Sequence, residues 1–302
     1  MRTRKEAPTV TTTQFTRLMR SEGMRGFTLM SPTLIYALLL LAIPIGVIIT
    51  FSFWTQHYLD FDTTLTLKNY AIIWEKPIYQ TLLFRSLIVA GTVTLVTVVL
   101  AYPIAYFVAF RVQDHKAIWI FLITIPFWTS YLLRIFAWKL VLGYDGLINS
   151  TLINLGLIDE PLSFILYNMN AVIVTLSHAW LPFAILPIYV SLEKIDRSLL
   201  EAATDLGDKP LMRFLRVTLP LSLPGVIAAT LVVFIPTVGD YVTPKLVGGK
   251  DGVMIANFIQ IQFGKANNWP LGAALAITAM VCVTAVAVSV AGFIKFIGSR
   301  IR

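Results

Sequence analysis

Cysteine, histidine and charged residues are all scarce in this sequence. Its 302 residues include one cysteine, Cys282, and three histidines. A disulfide within the chain is therefore excluded, and no histidine pair has the spacing of a metal site. Charged residues make up 13% of the chain, whereas soluble domains carry about 25%. A shortage of this size over so long a chain excludes a water-soluble fold.

The sequence also lacks the motifs of ATP-hydrolysing enzymes and of other hydrolases. It contains no GxxxxGK[ST] phosphate-binding loop, the signature with which many ATPases hold nucleotide. It offers no nucleophile–base pair and no paired catalytic groups at one depth in a membrane. The sequence therefore predicts that the chain is not an enzyme, in the membrane or outside it, and that it uses no cofactor.

Long apolar runs stand where a soluble protein would have charges. Hydrophobic residues make up 57% of the chain, and the mean hydropathy is +0.77. A helix that crosses the hydrocarbon core needs about 20 mostly apolar residues. Six stretches meet this requirement and predict an all-α integral membrane protein with six transmembrane helices. The predicted spans are 29–53, 86–110, 117–141, 169–192, 223–244 and 270–294.

Basic residues are concentrated in alternate loops. With the N-terminus inside, the inner segments 1–28, 111–116, 193–222 and 295–302 hold 16 Lys and Arg, and the outer segments hold six. Lys and Arg accumulate on the cytoplasmic side of membrane proteins, so both termini are predicted to be cytoplasmic. The net charge of +8 then reflects topology, which argues against a nucleic-acid partner.

The longest inner loop, 193–222, predicts a short amphipathic helix that ends in a glycine turn. Asp196 is suited to the N-cap position, and Gly207 is suited to the positive φ that often follows a helix. At helical spacing, one apolar face is predicted to consist of Leu199, Ala203 and Leu206.

A second short helix is predicted after the glycine turn, beginning near Asp208 and Pro210. It would carry Arg213 and Arg216 toward the inner membrane interface. The first, amphipathic helix needs a surface on which to dock. That surface is either the inner ends of its own spans or another protein.

The same loop resembles a known family. Glu201-Ala202-Ala203, then Gly207, then Leu219-Pro220 is similar to the EAA signature of binding-protein-dependent ABC permeases, with Val217 at a position that is usually isoleucine. The resemblance implies the type I ABC importer permease fold and a bacterial inner-membrane location. It also implies that residues about 197–207 form a coupling helix. The implied ATPase-coupling residues are Glu201, Ala202, Ala203, Asp205, Leu206 and Gly207.

The resemblance also implies a division of the chain and a set of partners. Residues 1–28 would be a cytoplasmic tail, 29–85 the first span with an outer loop, 86–294 the core permease domain, and 295–302 the cytoplasmic C-terminus. The implied partners are two ABC ATPase subunits, a second and different permease, a periplasmic or lipid-anchored solute-binding protein, and the lipid bilayer.

Three charged residues lie within the predicted spans: Arg134, Lys139 and Asp240. Charges in the membrane are costly and mark functional sites or ion pairs. Lys139 is close enough to the outer end of its span to reach the interface. Asp240 pairs with Arg134, contacts a solute, or does neither.

Aromatic residues accompany these charges, and the spacing places Trp128, Tyr131 and Trp138 on one helix face with Arg134. Such a face either packs within the protein or attracts organic cations. His178, within the fourth span, is predicted to pack or form a hydrogen bond there. The candidate solute-path residues are Trp128, Tyr131, Arg134, Asp240 and Tyr241.

The stretches 126–142, 236–249 and 267–277 resemble the permeases of spermidine/putrescine importers. This resemblance implies a polyamine as the solute. Iron, a phosphonate, or an opine-like or amino-acid-derived compound remains an alternative within the same subfamily. A stand-alone secondary transporter or channel is an alternative of another class. It would need an ion relay, for which Asp240 is the single intramembrane carboxylate.

Overall fold

A computed structural model describes residues 22–58 and 60–301, and it is helical apart from one small hairpin. Most of the predicted N-terminal tail therefore lies outside the described residues, as does the last residue of the predicted C-terminal segment. The predicted division of the chain into tail, first span with outer loop, core and C-terminus stays a prediction.

Long helices alternate with short ones along the chain. The first half contains α1 (Glu22–Ser52), β1 (Thr55–His57), β2 (Asp60–Asp62), α2 (Lys68–Glu75), α3 (Pro77–Tyr106), α4 (Lys116–Trp128), α5 (Tyr131–Val141) and α6 (Leu147–Asn154). The second half contains α7 (Met169–Glu193), α8 (Arg197–Asp205), α9 (Pro210–Arg213), α10 (Leu219–Val238), α11 (Val242–Val247), α12 (Ile255–Gly264) and α13 (Trp269–Ile301). A π-helical turn, Phe107–Arg111, extends α3, and a 3₁₀ turn, Ser163–Ile165, precedes α7.

Five of these helical segments are long and apolar enough to cross a membrane, and the bent pair α4–α5 makes up to six. The predicted first, fourth and sixth spans correspond closely to α1, α7 and α13. The second corresponds to α3 with its π-helical turn, which begins nine residues earlier than predicted, at Pro77. The prediction of an integral membrane protein with six spans is therefore confirmed if the bent pair counts as one span.

The third predicted span, 117–141, is not one continuous helix. It breaks at Thr129 and Ser130, both of which have extended backbone, and its two halves meet at 82°. Proline removes a helix donor nearby, at Pro126. The Thr129 hydroxyl donates to the Pro126 carbonyl at 2.7 Å. That carbonyl therefore accepts a side-chain hydrogen bond in place of the backbone N–H of a continuing helix.

The fifth predicted span, 223–244, was wrong at both ends. The helix runs without interruption from Pro210 to Val238, so the predicted second short helix of the inner loop is the first turn of this span. Just before Pro220 it widens into a π-helical turn, Phe214–Thr218, because Pro220 has no amide to donate to the preceding turn.

Just beyond the outer end of this span, Pro244 limits the backbone hydrogen bonds that a continuing helix could form. Pro244 lacks the N–H that a continuing helix would direct at the carbonyl of Asp240. The Asp240 carboxylate instead accepts the backbone N–H groups of Val242 and Thr243, at 2.9 and 3.4 Å. The chain therefore breaks after Val238 and resumes as the short helix α11.

The core lies where α3, α7 and α10 pack together, around buried side chains such as Val89, Ile188 and Val233. One close approach in this core is at Gly225 of α10. A Cβ there would lie 2.5 Å from the Pro187 carbonyl oxygen and 2.5 Å from the Ser191 Cβ. Small residues let membrane helices approach this closely, so glycine is required where α10 crosses α7.

Helix α13 completes this layer by packing on α10 and α12. Its small side chains Ala274, Ala279 and Ala287 are buried in a second core cluster with Phe234 and Leu275. These small residues therefore serve close helix packing.

The chain forms two compact units that divide between Phe51 and Ser52. In the first, α1 presents exposed apolar side chains along its length, including Leu29, Ile35 and Leu41, as suits a helix surrounded by lipid. The second unit begins with the outer hairpin, in which Thr55 pairs with Asp62 and His57 with Asp60.

Candidate functional site

The inner loop begins with a capped helix. Asp196 accepts the backbone N–H of Ser198 at 3.0 Å and stands at the N-cap of α8, so the predicted cap is confirmed. The hydrogen bond to the Ser198 amide lowers the pKa of Asp196 below its ordinary value, with a smaller contribution from the Ser198 side chain. The residue just before the cap, Ile195, is buried.

The far end of α8 closes in a Schellman motif. The Gly207 N–H donates to the Thr204 carbonyl at 2.9 Å, and the Asp208 N–H donates to the Ala203 carbonyl at 3.0 Å. Gly207 has φ +88°, which glycine adopts without steric cost. The predicted glycine turn is therefore confirmed.

The predicted apolar face of α8 is wrong. Leu200 and Ala203 are buried, whereas Leu199 is 47% exposed and Leu206 is 88% exposed. The helix docks through the i, i+3 pair on one side, and Leu199 and Leu206 stay exposed. Of the six predicted ATPase-coupling residues, Ala203 is buried and the other five are exposed: Glu201, Ala202, Asp205, Leu206 and Gly207.

Two arginines of the following helix form side-chain contacts with this loop. Arg213 donates to the Thr204 hydroxyl at 2.8 Å. Arg216 pairs with Asp208 at 3.1 Å. These exposed contacts each contribute little to stability, about 0–1 kcal/mol. Their consequence is geometric, because they hold α8 against the first turns of the fifth span.

The second candidate site lies at the breaks of the third and fifth spans. The Tyr131 hydroxyl donates to Asp240 Oδ2 at 2.6 Å and lies 2.9 Å from the Thr243 hydroxyl. Asp240 is partly buried and Thr243 fully buried. Sequence analysis missed Thr243 because an isolated threonine beside a proline carries no recognisable signal.

Arg134 and Asp240 do not form an ion pair; the two pairs within 4 Å in the described part of the chain join other residues. Arg134 instead donates to the Ala179 carbonyl at 3.3 Å, and its guanidinium carbon lies 5.8 Å from the centre of the Tyr131 ring. Its Nε is buried without a hydrogen-bond partner. Tyr131 therefore contacts both charged groups, and neither has a countercharge.

The remaining candidate path residues are Trp128 and Tyr241. Trp128 is 78% exposed and lies on the other side of the break, so it does not share a helix face with Tyr131 and Arg134 as predicted. The Tyr241 carbonyl accepts the Asn257 amide at 2.7 Å, and its side chain is 43% exposed.

Aromatic residues connect the broken span to α7. Trp138 donates to His178 Nδ1 at 3.1 Å, which confirms that His178 forms a hydrogen bond within the protein. The Trp180 ring lies 6.3 Å from the Tyr131 ring and 5.3 Å from the Phe183 ring. No group of metal-binding side chains occurs among the described residues.

Comparison with protein families gives one match that covers most of the chain. Residues 23–302 match the model of the binding-protein-dependent transport system inner membrane component.

Characterised relatives carry a more specific name. Spermidine/putrescine transport system permease protein PotB of Escherichia coli K12 is 39% identical over 244 residues, which is 80% of this chain and 88% of that protein. PotB of Haemophilus influenzae is 37% identical, over 78% of this chain and 82% of its own. The inner membrane ABC transporter permease protein YdcU of E. coli K12 is 34% identical, over 72% of this chain and 73% of that protein.

A solved structure shares the fold at low sequence identity. A chain of a bacterial ABC transporter involved in the import of the acidic polysaccharide alginate superposes with a TM-score of 0.65 at 15% identity. The match covers 95% of this chain and 99% of that chain.

Proposed function

Because this chain belongs to the family of binding-protein-dependent transport system inner membrane components, we propose that it forms half of the passage of an ATP-driven importer for polyamines. It is a multi-pass permease of the inner membrane, and its family is one of transport components rather than enzymes. The family match over residues 23–302 carries this proposal.

Energy would reach this permease through α8. The exposed strip of Glu201, Ala202, Asp205 and Leu206 is rigidly presented, since both ends of α8 are capped and its other side is buried. A strip of this kind suits the cleft of an ATPase subunit on the cytoplasmic side. ATP would then be hydrolysed by separate ATPase subunits, two per complex.

The other partners follow from the same role. A second, different permease would complete the passage, and a periplasmic or lipid-anchored binding protein would deliver the solute. Both termini would lie in the cytoplasm, where the excess of Lys and Arg in the inner segments places them. When the ATPases close, α8 would move with them, and the spans would reorient toward the binding protein.

Two observations support a polyamine as the solute. The PotB relatives are spermidine/putrescine permeases, and the Asp240 carboxylate accepts three hydrogen bonds from neutral groups without pairing with a cation. A partly buried carboxylate that pairs with no cation favours a nearby ammonium group.

A second solute class is favoured by Arg134. Its Nε has no hydrogen-bond partner, so a solute that carries both a carboxylate and an amine, such as an amino-acid-derived compound, would satisfy Arg134 and Asp240 together. This alternative keeps the importer function and changes the solute.

The proposal is tested on the complex of this chain with the ATPase, second permease and binding protein of its operon, in lipid vesicles. We expect spermidine or putrescine to stimulate both ATP hydrolysis and uptake. Stimulation by an amino-acid-derived compound alone would favour the second solute class. ATP-independent uptake by this chain alone would contradict the importer function.

The coupling strip is tested in the same vesicles by Glu201→Lys. It should lower uptake and ATPase stimulation at least tenfold, because it reverses a charge on the strip. Glu75→Lys, an exposed residue at the end of α2, is the matched control and should leave both unchanged. Normal uptake by the Glu201→Lys variant would show that this strip does not bind the ATPase.

A further inference from the structure

One lysine joins three helices directly above the inner loop. Lys116 Nζ donates to Glu193 Oε1 and Oε2 at 2.8 and 3.0 Å and to the Ala109 carbonyl at 3.1 Å. An ammonium group has three donors, so all of them are used. We call Lys116, Glu193 and Ala109 the Lys116 clamp; it connects the start of α4, the end of α7 and the π-helical turn after α3.

The clamp is adjacent to the helix proposed to bind the ATPase. Glu193 is the last residue of α7, and the cap of α8 follows three residues later, at Asp196. The intervening Ile195 is buried, so this connection has little freedom. A displacement of α8 would therefore act on Glu193 and, through its carboxylate, on Lys116.

The helix that Lys116 begins is loosely held elsewhere. None of the 13 residues of α4 is fully buried. Its side chains touch the neighbouring helices through ring contacts such as Phe107–Trp119 at 5.7 Å and Phe127–Phe183 at 5.0 Å. At its inner end, α4 is held by the clamp and by the Phe107–Trp119 ring contact.

The backbone just before α4 is held in an uncommon conformation. His115 has φ +65°, although it is not glycine, and its carbonyl accepts the N–H of Ile118 at 2.9 Å. A residue in this region costs about 1–3 kcal/mol and persists only where its surroundings fix it. The clamp lies on the next residue and provides that restraint.

Helix α4 leads to the second candidate site. At 1.5 Å per residue it is about 20 Å long, and it ends at the break whose far side begins with Tyr131. A shift of its inner end would therefore reach the residues that bind Asp240 and contact Arg134.

We propose that Lys116 is a positioning residue, which transmits movement of α8 along α4 to the break at Thr129–Ser130 and so to Tyr131. This inference rests on the proposed coupling function. It assigns the transmission to the ion pair between Lys116 and Glu193 and not to general packing of the bundle. The Lys116 side chain is 23% exposed and the Glu193 side chain 40% exposed.

The test uses a reporter at the break that requires no known solute. Ser130→Cys in a Cys282→Ser background places one exposed thiol there. In the complete complex, the rate of thiol modification is measured with and without ATP and vanadate, together with ATP hydrolysis and complex recovery.

With Lys116 intact, we expect ATP to change the modification rate several-fold. Lys116→Glu should abolish that change while ATP is still hydrolysed, and Lys116→Glu combined with Glu193→Lys should restore most of it. Lys265→Glu, an exposed outer residue, is the control for the charge change and should behave like the reporter alone.

Three results would overturn the inference. They are an unchanged ATP response in Lys116→Glu, no rescue by the double reversal at equal complex recovery, and no response of the reporter in a complex that hydrolyses ATP. If the ATPase does not bind the reporter chain at all, the proposed function fails and this inference fails with it.

Discussion

The Tyr131 hydroxyl donates to the Asp240 carboxylate at 2.6 Å, and this bond joins the breaks of two membrane-spanning segments. A proline lies near each break, at Pro126 and at Pro244. No cation pairs with Asp240 within 4 Å among the described residues, while the face of the tyrosine ring lies near the guanidinium of Arg134. The cluster thus holds two opposite charges apart, and that arrangement makes it the candidate solute site.

Removing the charge of Asp240 should weaken polyamine uptake without disturbing the fold. Asp240→Asn keeps an oxygen that can accept the Val242 N–H and loses the negative charge. We expect the KM for spermidine uptake to rise about tenfold, the equivalent of about 1.4 kcal/mol. Radiolabelled uptake into vesicles measures it.

The control for this change is Tyr131→Phe, which removes one hydrogen bond to Asp240 and keeps the charge. It should raise KM much less than Asp240→Asn. An unchanged KM in Asp240→Asn would contradict a solute contact. A fall in recovered complex, with normal KM in the complex that remains, would show that the carboxylate serves the fold alone.

Gly207 should be replaceable only by a residue that tolerates positive φ. A Cβ at this position would meet no atom within 4 Å, so the effect of a substitution arises from the backbone. Gly207→Val should cost roughly 1–2 kcal/mol in the loop and lower ATP-dependent uptake at least fivefold.

Gly207→Asn separates backbone strain from simple bulk, because asparagine is close to valine in size and enters the left-handed region more readily. It should retain most of the uptake. Equal loss in both variants would point to a clash with the ATPase surface, and equal activity in both would remove the turn from the coupling mechanism.

The cap of α8 should weaken in acid. The pKa of Asp196 is lowered in the folded loop by its hydrogen bonds to Ser198. A group with a lowered folded pKa contributes stability fully above its unfolded value, here the ordinary 3.8, and loses that contribution as pH falls through the lower folded value.

Hydrogen-exchange protection factors of the first amides of α8 should therefore decline as pH falls below about 4. Asp196→Asn retains a capping oxygen that does not titrate, so its protection should be independent of pH across the same range. A parallel decline in both proteins would mean that another group controls this helix.

The crossing of α7 and α10 should not accept even one methyl group at Gly225. Its Cβ would lie 2.5 Å from the Pro187 carbonyl oxygen, so Gly225→Ala should destabilise the protein by about 1–3 kcal/mol through overpacking. Thermal unfolding in detergent measures this.

Gly91→Ala is the matched control, since a Cβ there meets nothing within 4 Å and alanine favours a helix. It should unfold at the same temperature or higher. A Gly225→Ala protein as stable as the parent would mean that the two helices can separate at this crossing at no cost.

Features that depend on neighbouring residues were predictable. The Asp196 cap and the Gly207 turn lie at the two ends of one nine-residue helix, and their hydrogen bonds are local. The buried face of α8 was not predictable. Leu199 and Leu200 are equally apolar, and the choice between them depends on which side meets the bundle.

The sequence by itself determined that this is a membrane protein, where most of its spans lie, and how its inner loop turns, because lipid demands long apolar helices with satisfied backbones. Only the tertiary structure decided where the third and fifth spans break and that Tyr131, rather than Arg134, binds Asp240. The Tyr131–Asp240 contact joins residues 109 positions apart in the chain, and it is set by how whole helices pack.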